Sequence, residues 1–324
     1  MNANSPALFD PIGERLARRA LVILDGALAT ELEARGADLH DALWSAKLLI
    51  ERPELVRAVH LDYFRAGADV ATTATYQATF EGFARRGIDE HGARRLMREA
   101  VSLARAAREE FWADPSAQVG RDRPLIAASV GPYGAMLGDG SEYRGGYALG
   151  DAELAAFHRR RLETLADACA DLLAIETIPS LREALVLAEL LGEYPGTVAW
   201  LSFSCRDGAH TAEGQPIAAA VAALEPYAQI VAVGVNCTAP GFMVPLLEHM
   251  RAATAKPLLV YPNSGEIYDA HAKVWNGQPA GMTWARAASL WNQAGARLIG
   301  GCCRTGPAEI RALRDWSANL PAPK

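Results

Sequence analysis

The order of apolar and polar positions divides the chain into short apolar runs separated by longer amphipathic segments. Eight runs stand out, over 21–27, 68–76, 125–131, 171–178, 197–205, 229–237, 257–265 and 296–303. Most are rich in Val, Ile, Leu and Ala without clean alternation, which suits strands buried on both faces of a parallel sheet. Runs this short also fit buried helix turns, but their Gly and Pro boundaries favour strands. Between them, 53–66, 90–112, 151–170, 181–193, 215–227, 241–253, 283–294 and 307–319 carry apolar residues at helical spacing. In the first of these Pro53 opens the helix, and Leu55, Val56, Val59 and Phe64 share one side. Asp151 and Thr283 stand where N-caps are expected. Strand and helix alternate eight times with no linker rich in Gly, Ser or Pro. This predicts an α/β fold, a single-domain (β/α)8 TIM barrel over residues 21–324, with an open doubly wound sheet as the weaker alternative. Residues 1–20 read as a short preceding segment, with a helix over 13–20 covering one end of the barrel.

Composition supports a large core. Half of the 324 residues are hydrophobic and 22% are charged, which argues against extensive disorder. The formal net charge of -6 excludes a broad nucleic-acid surface, because phosphate binding needs clustered Lys and Arg. The arginines are scattered along helices, as at Arg94, Arg95, Arg98, Arg105 and Arg108, and read as solvated faces. No stretch has the roughly 20 apolar residues that span a bilayer. The opening ten residues lack the basic and apolar parts of a secretory signal. Five cysteines do not suggest a disulfide framework, so a reducing cytoplasm is expected, where cysteines with a purpose are metal ligands or nucleophiles.

Active sites of such barrels sit at the C-terminal ends of the strands. The first run ends in Asp25-Gly26-Ala27, the fourth in Glu176-Thr177, the sixth in Asn236-Cys237 and the eighth in Gly300-Gly301-Cys302-Cys303. Barrel closure brings the ends of strands six and eight within reach of each other across strand seven. Cys237, Cys302 and Cys303 then present three thiolates, a donor set for Zn²⁺ with a fourth position open. Gly300-Gly301 would permit the tight path that turns adjacent cysteines to one point. A vicinal Cys302–Cys303 disulfide and three unrelated buried thiols are the alternatives. Cys205, ending the fifth run, reads as a pocket-lining thiol rather than a fourth ligand, and Cys169 as a core residue of a helix. Glu176 follows an apolar stretch in which a carboxylate is costly unless paired. It suits an ammonium-binding or basic role, or else caps the next helix with Thr177. Asp25 beside Gly26 suits ligand binding or a plain turn, and Asn236 a ligand or the backbone beside Cys237.

Two loops exceed what connection needs, 131–150 and 263–282, and such loops over a barrel mouth serve as lids or binding loops. Neither the phosphate-loop order nor a GxGxxG fingerprint is present, and no HExxH motif occurs among the histidines.

At these residues the chain resembles the homocysteine S-methyltransferase family. The resemblance runs from Leu21 to Ile310 and rests on LDGALATEL at 24–32, GPYGAMLGDGSEYRGGY at 131–147, ETIPS at 176–180, GVNC at 234–237, YPNSGEIYD at 261–269 and GGCC at 300–303. The pairing of GVNC with GGCC is its most specific part. The loop around GSEY and the single-barrel length are most similar to the subgroup that uses S-methylmethionine. The resemblance implies zinc bound by Cys237, Cys302 and Cys303, with the homocysteine thiolate as fourth ligand. It also implies that Asp25, Glu176 and backbone near Gly26 hold the amino-acid end. The expected partners are small molecules, homocysteine and a sulfonium methyl donor, which Tyr133, Tyr143, Tyr147 or Trp275 would face by cation–π attraction. Left open are a betaine-type donor, a selenohomocysteine acceptor, a zinc hydrolase or lyase on the same barrel, a non-catalytic thiol or zinc sensor, and the oligomeric state.

Overall fold

A computed structural model describes residues 8–38, 47–269, 274–281 and 283–321. Helix α1 (Pro11–Leu16) precedes strand β1 (Val22–Ile23) and helices α2 (Leu28–Ala34), α3 (Leu48–Glu51) and α4 (Pro53–Ala66). Then follow β2 (Val70–Thr72), α5 (Phe80–Ala84), α6 (Glu90–Trp112), β3 (Leu125–Val130), α7 (Tyr133–Leu137), α8 (Asp151–Ala166), β4 (Leu172–Ile178) and α9 (Leu181–Leu191). The second half runs β5 (Ala199–Phe203), α10 (Ile217–Ala223), β6 (Ile230–Asn236), α11 (Met243–Arg251) and β7 (Leu258–Tyr261). A hairpin of β8 (Ile267–Asp269) and β9 (Val274–Asn276) precedes α12 (Trp284–Ala294), β10 (Ala296–Ile299) and α13 (Pro307–Ser317).

Eight strands form one parallel sheet in the order β1-β10-β7-β6-β5-β4-β3-β2. The sheet closes where Leu24 bridges Val70 and Asp69 N donates to Ile23 O at 2.7 Å. The fold is therefore the expected (β/α)8 barrel, and the open doubly wound alternative is set aside. Parity along the strands separates two cores. Leu173 and Ile175 of β4, and Leu201 and Phe203 of β5, pack outward against the helices. Leu172, Ala174, Trp200 and Leu259 fill the barrel interior, and Ile12 and Leu16 of α1 plug its N-terminal end. The same inward parity continues upward as Ser129, Glu176, Ser202, Asn236 and Tyr261, all buried. The lower barrel is thus apolar and its C-terminal rim polar, which places the chemistry.

Several local expectations are corrected. The first helix spans Pro11–Leu16 rather than 13–20, because Asp10 caps it by accepting from Ile12 N and Gly13 N. Gly150, not Asp151, is the N-cap of α8, and Glu153 reaches back to its amide at 2.7 Å. Thr283 holds the N-cap position of α12 without a side-chain cap bond. Ser180, rather than Glu176 or Thr177, caps α9. Because α8 ends at Ala166, Cys169 lies beyond it in a left-handed conformation (φ 59°) and is exposed, not core. Arg108 is not a solvated arginine: it is buried, with Nη1 2.6 Å from Asp171. The 131–150 loop holds α7 and a short 3₁₀ turn, Ser141–Tyr143. The 263–282 loop holds the β8–β9 hairpin, with 270–273 and 282 outside the described residues.

Candidate metal and substrate site

β6 delivers Cys237 and the turn after β10 delivers Cys302 and Cys303. One ligand atom from each lies within 4.8 Å of the others, and Cys237 Sγ is 3.5 Å from Cys303 Sγ. Sulfurs around a tetrahedral ion with bonds of about 2.3 Å stand roughly 3.8 Å apart, so the spacing and softness of this donor set fit Zn²⁺. The backbone reaches this geometry at some cost: Cys237 (φ 47°) and Arg304 (φ 68°) are left-handed. Gly300 and Gly301 serve differently from the sequence expectation, through space rather than dihedral freedom. A Cβ on Gly301 would lie 2.1 Å from Thr305 Oγ1, and one on Gly300 2.5 Å from Leu24 Cβ. Thr305 in turn donates to Cys302 O at 2.6 Å, fixing the turn that presents the two thiols. Hydrogen bonds from Cys302 and Cys303 hold the Cys237 thiol well below the usual range, with Tyr143 Oη contributing at 3.0 Å. Cys205, two residues past the end of β5, lies outside the cluster and outside the pocket lining, packed instead against the outer core, so the pocket-lining expectation is corrected; burial pushes its thiol up.

The sulfurs open into a pocket lined by Asp25, Gly26, Glu176 and Asn236, the residues singled out in the sequence. Asp25 accepts from Thr72 N at 2.7 Å and Thr72 Oγ1 at 3.0 Å. Burial pushes its carboxyl up to about 8, against those hydrogen bonds. Glu176 accepts from Ser129 Oγ, and from Tyr261 Oη at 3.0 Å. Burial raises it to about 7. Asn236 is tied to the protein by three hydrogen bonds while it also lines the pocket. Its Oδ1 accepts from Thr177 N (2.7 Å) and Ser202 Oγ (2.8 Å), while Nδ2 donates to Thr177 Oγ1 (2.8 Å). It thereby holds Thr177 at φ 61°, a conformation costly for a β-branched residue.

The aromatic expectation holds only in part. Tyr143 and Trp275 line the pocket, with Tyr76 and Tyr268, which sequence reasoning did not single out. Tyr268 stands between the other two walls, 6.3 Å from the Tyr143 ring and 5.1 Å from Trp275. Tyr133 and Tyr147 instead pack together behind the loop, Tyr133 on Phe157, so they are not pocket aromatics. Glu142 was also missed. It is buried, its Oε2 has no hydrogen-bond partner, and burial raises it to about 7. The signal for it was the SEY triplet in a loop too long for a connection. Asp25, Glu33, Glu142 and Glu176 are the ionisable carboxyl side chains of the lining; among the described residues no Lys, Arg or His lines it.

A barrel that gathers three thiols and buried carboxylates on its C-terminal face belongs with enzymes that act on a thiol. Comparison makes that class specific. Residues 22–317 match the family model for homocysteine S-methyltransferase. A homocysteine S-methyltransferase of Bacillus subtilis (strain 168) is 51% identical over 312 residues, covering 96% of this chain and 99% of that protein. One from Escherichia coli (strain K12) is 53% identical over 311 residues, covering 95% and 99%. The crystal structure of the metallated form of the homocysteine methyltransferase MmuM from Escherichia coli superposes with a TM-score of 0.85 at 50% identity, covering 94% of this chain and 99% of that one. The chain belongs to the homocysteine S-methyltransferase family, methyltransferases that methylate the homocysteine thiol. Among the described residues no helix is long and apolar enough to cross a membrane.

Proposed function

We propose that this enzyme moves a methyl group from a sulfonium donor, S-methylmethionine foremost and S-adenosylmethionine second, to homocysteine, with zinc held by Cys237, Cys302 and Cys303. The observation that carries the reading is the convergence of three sulfurs in a pocket whose ionisable side chains, among the described residues, are carboxyls and thiols besides tyrosines. A free thiol titrates near ~8.5, and zinc bound here would supply the Lewis acidity that keeps the acceptor as a thiolate at neutral pH. Three thiolate donors leave little acidity for activating water, which favours thiol chemistry over hydrolysis.

The chain's own residues bind and orient. Glu176, fixed by Ser129 and Tyr261, and Asp25, fixed by Thr72, receive the homocysteine ammonium. Backbone around Gly26 approaches the carboxylate. The acceptor sulfur attacks the methyl carbon, and the bond to the sulfonium sulfur breaks with its electron pair leaving on the donor. No proton moves in that step, so alignment dominates the rate. Tyr143, Tyr268 and Trp275 offer ring faces to the donor cation. The carboxylate lining favours a donor of net positive charge. A betaine-type donor is a zwitterion without net charge, so a lining of carboxyl groups attracts it less. The accessible thiols suit a reducing cytoplasm.

One experiment tests the whole reading: donor screening with homocysteine, with metal content measured on the same sample. Methionine formation from S-methylmethionine without folate or cobalamin, by protein holding one zinc per chain, is the expected result. A strict requirement for either cofactor, or turnover with betaine alone, overturns the donor assignment. Full activity in metal-free protein overturns the zinc assignment.

A further inference from the structure

Glu183 lies outside the barrel, in the first turn of α9, and is fully buried. Ser180-Leu181-Arg182-Glu183 has the spacing of a capping box, in which the glutamate should turn back to the Ser180 amide. The first half of the box is made, since Ser180 Oγ accepts from Glu183 N at 3.2 Å. The glutamate points elsewhere. Its Oε1 accepts from Tyr133 N at 2.6 Å and lies 2.9 Å from His158 Nε2. A buried carboxylate diverted from its local role, and placed against two other elements, has a longer-range one.

The contacts continue from there to the thiols. Tyr133 opens α7, and the next residue, Gly134, is pressed onto the other side of the loop. A Cβ at Gly134 would lie 2.5 Å from Glu142 N, 2.6 Å from Tyr147 Oη and 2.7 Å from the Ser141 carbonyl carbon. Glu142 O is held from beneath by Ser204 Oγ at 2.7 Å, and the following residue places Tyr143 Oη 3.0 Å from Cys237 Sγ. The loop's entry, its 3₁₀ turn and the sulfur cluster are thus joined through successive close contacts. The start of that chain is the bond from Tyr133 N to Glu183. His158, itself fully buried on α8, fixes the carboxylate so that it cannot follow the loop.

We infer that Glu183 is a positioning residue, which holds α7 against α9 so that Glu142 and Tyr143 face the acceptor site. It touches no substrate. The inference rests on the reading of this pocket as the site of methyl transfer. Its structural half, the placement of the loop, is measured independently of turnover.

Three variants test it. Glu183→Gln keeps an oxygen that accepts from Tyr133 N. Glu183→Ala removes it. Gly134→Ala reaches the same contacts from the loop side, without touching α9. Arg144, exposed within the loop, gives a native-state trypsin site. Glu183→Ala and Gly134→Ala should be cut there about tenfold faster than the wild type, and Glu183→Gln within about threefold of it, the difference expected for a charge-assisted bond to a backbone amide. The homocysteine KM should follow the same order, with an unchanged metal content and a smaller change in kcat. In the Glu183→Ala background, Tyr143→Phe should then cost little more, because the hydroxyl it removes is already misplaced. Unchanged trypsin cleavage in both Glu183→Ala and Gly134→Ala overturns the inference. So does full additivity of Glu183→Ala with Tyr143→Phe, or a loss in Glu183→Gln equal to that in Glu183→Ala. If cleavage follows the expected order but homocysteine is not the acceptor, the loop-positioning inference stands and the functional reading fails.

Discussion

The three thiols and the Glu176 carboxylate make separate demands, and single substitutions tell them apart. Replacing Cys237, Cys302 or Cys303 with Ala leaves two sulfurs, too few for the protein's share of a tetrahedral site. Zinc occupancy and turnover should both collapse, while Cys205→Ala and Cys169→Ala keep the metal. Equal metal loss in all five, by elemental analysis, would mean that the ligand choice is wrong. Glu176→Gln should keep zinc but weaken homocysteine binding by about 3–5 kcal/mol, the range for removing one partner of a buried ion pair. Unchanged acceptor KM would return Glu176 to a purely structural role. The same variant has a consequence for stability. Burial raises Glu176 from 4.5 to about 7, so in the metal-free protein the folded state keeps a proton that the unfolded chain releases. Stability from this group is present below the unfolded value and is lost as the pH rises through about 7. Glu176→Gln should therefore remove a fall on the order of 3 kcal/mol between acid and mildly basic pH, read by urea denaturation. Parallel pH profiles for the two proteins would show that the carboxylate is ionised in the fold.

Among the elements, the ends of β2 and β3 are held by one side chain from α8. Arg161 is almost fully buried and donates to Gly131 O at 2.9 Å and to the carbonyls of Thr75 and Tyr76. Arg161→Met should cost roughly 3–5 kcal/mol in urea, because it strands three carbonyls, those of Gly131 and Thr75 in fully buried bonds. A cost under about 1 kcal/mol would mean that water or a rearranged loop takes them over. Strands and helices of this kind were legible because buried apolar runs and amphipathic stretches alternate without interruption. The cysteines were legible because they end those runs. What the pattern hid was pairing across elements. Ser129, Ser202 and Tyr261 share the inward parity of Glu176 and could have been reached by counting in twos once the strands were drawn. Tyr268 could not, since the hairpin that presents it has strands of only three residues each, too short for alternation to show. Tyr133 and Tyr147 looked equivalent to Tyr143 because spacing within a loop does not say which aromatic faces outward. Cys169 was misplaced because α8 stops a turn earlier than its apolar residues suggested.

For the molecule as a whole, the two ends of the barrel are independent in chemistry and joined in stability. Ile12 is completely buried where α1 enters the apolar floor, a full barrel length from the thiols. Ile12→Ala should lower the unfolding free energy by about 2–5 kcal/mol with kcat unchanged for the folded fraction. A parallel loss of kcat would show that the floor transmits strain to the rim. The rim's own character, carboxyl groups without a side-chain cation among the described residues, bears on the direction of flow. On the proposed reading, a sulfonium and a thiolate enter with opposite charges, and two uncharged thioethers leave. The attraction that gathers the cationic donor has lost its object once the methyl has crossed. Methionine, the product, then competes poorly with the next donor for the same space, and the enzyme resists being choked by what it makes.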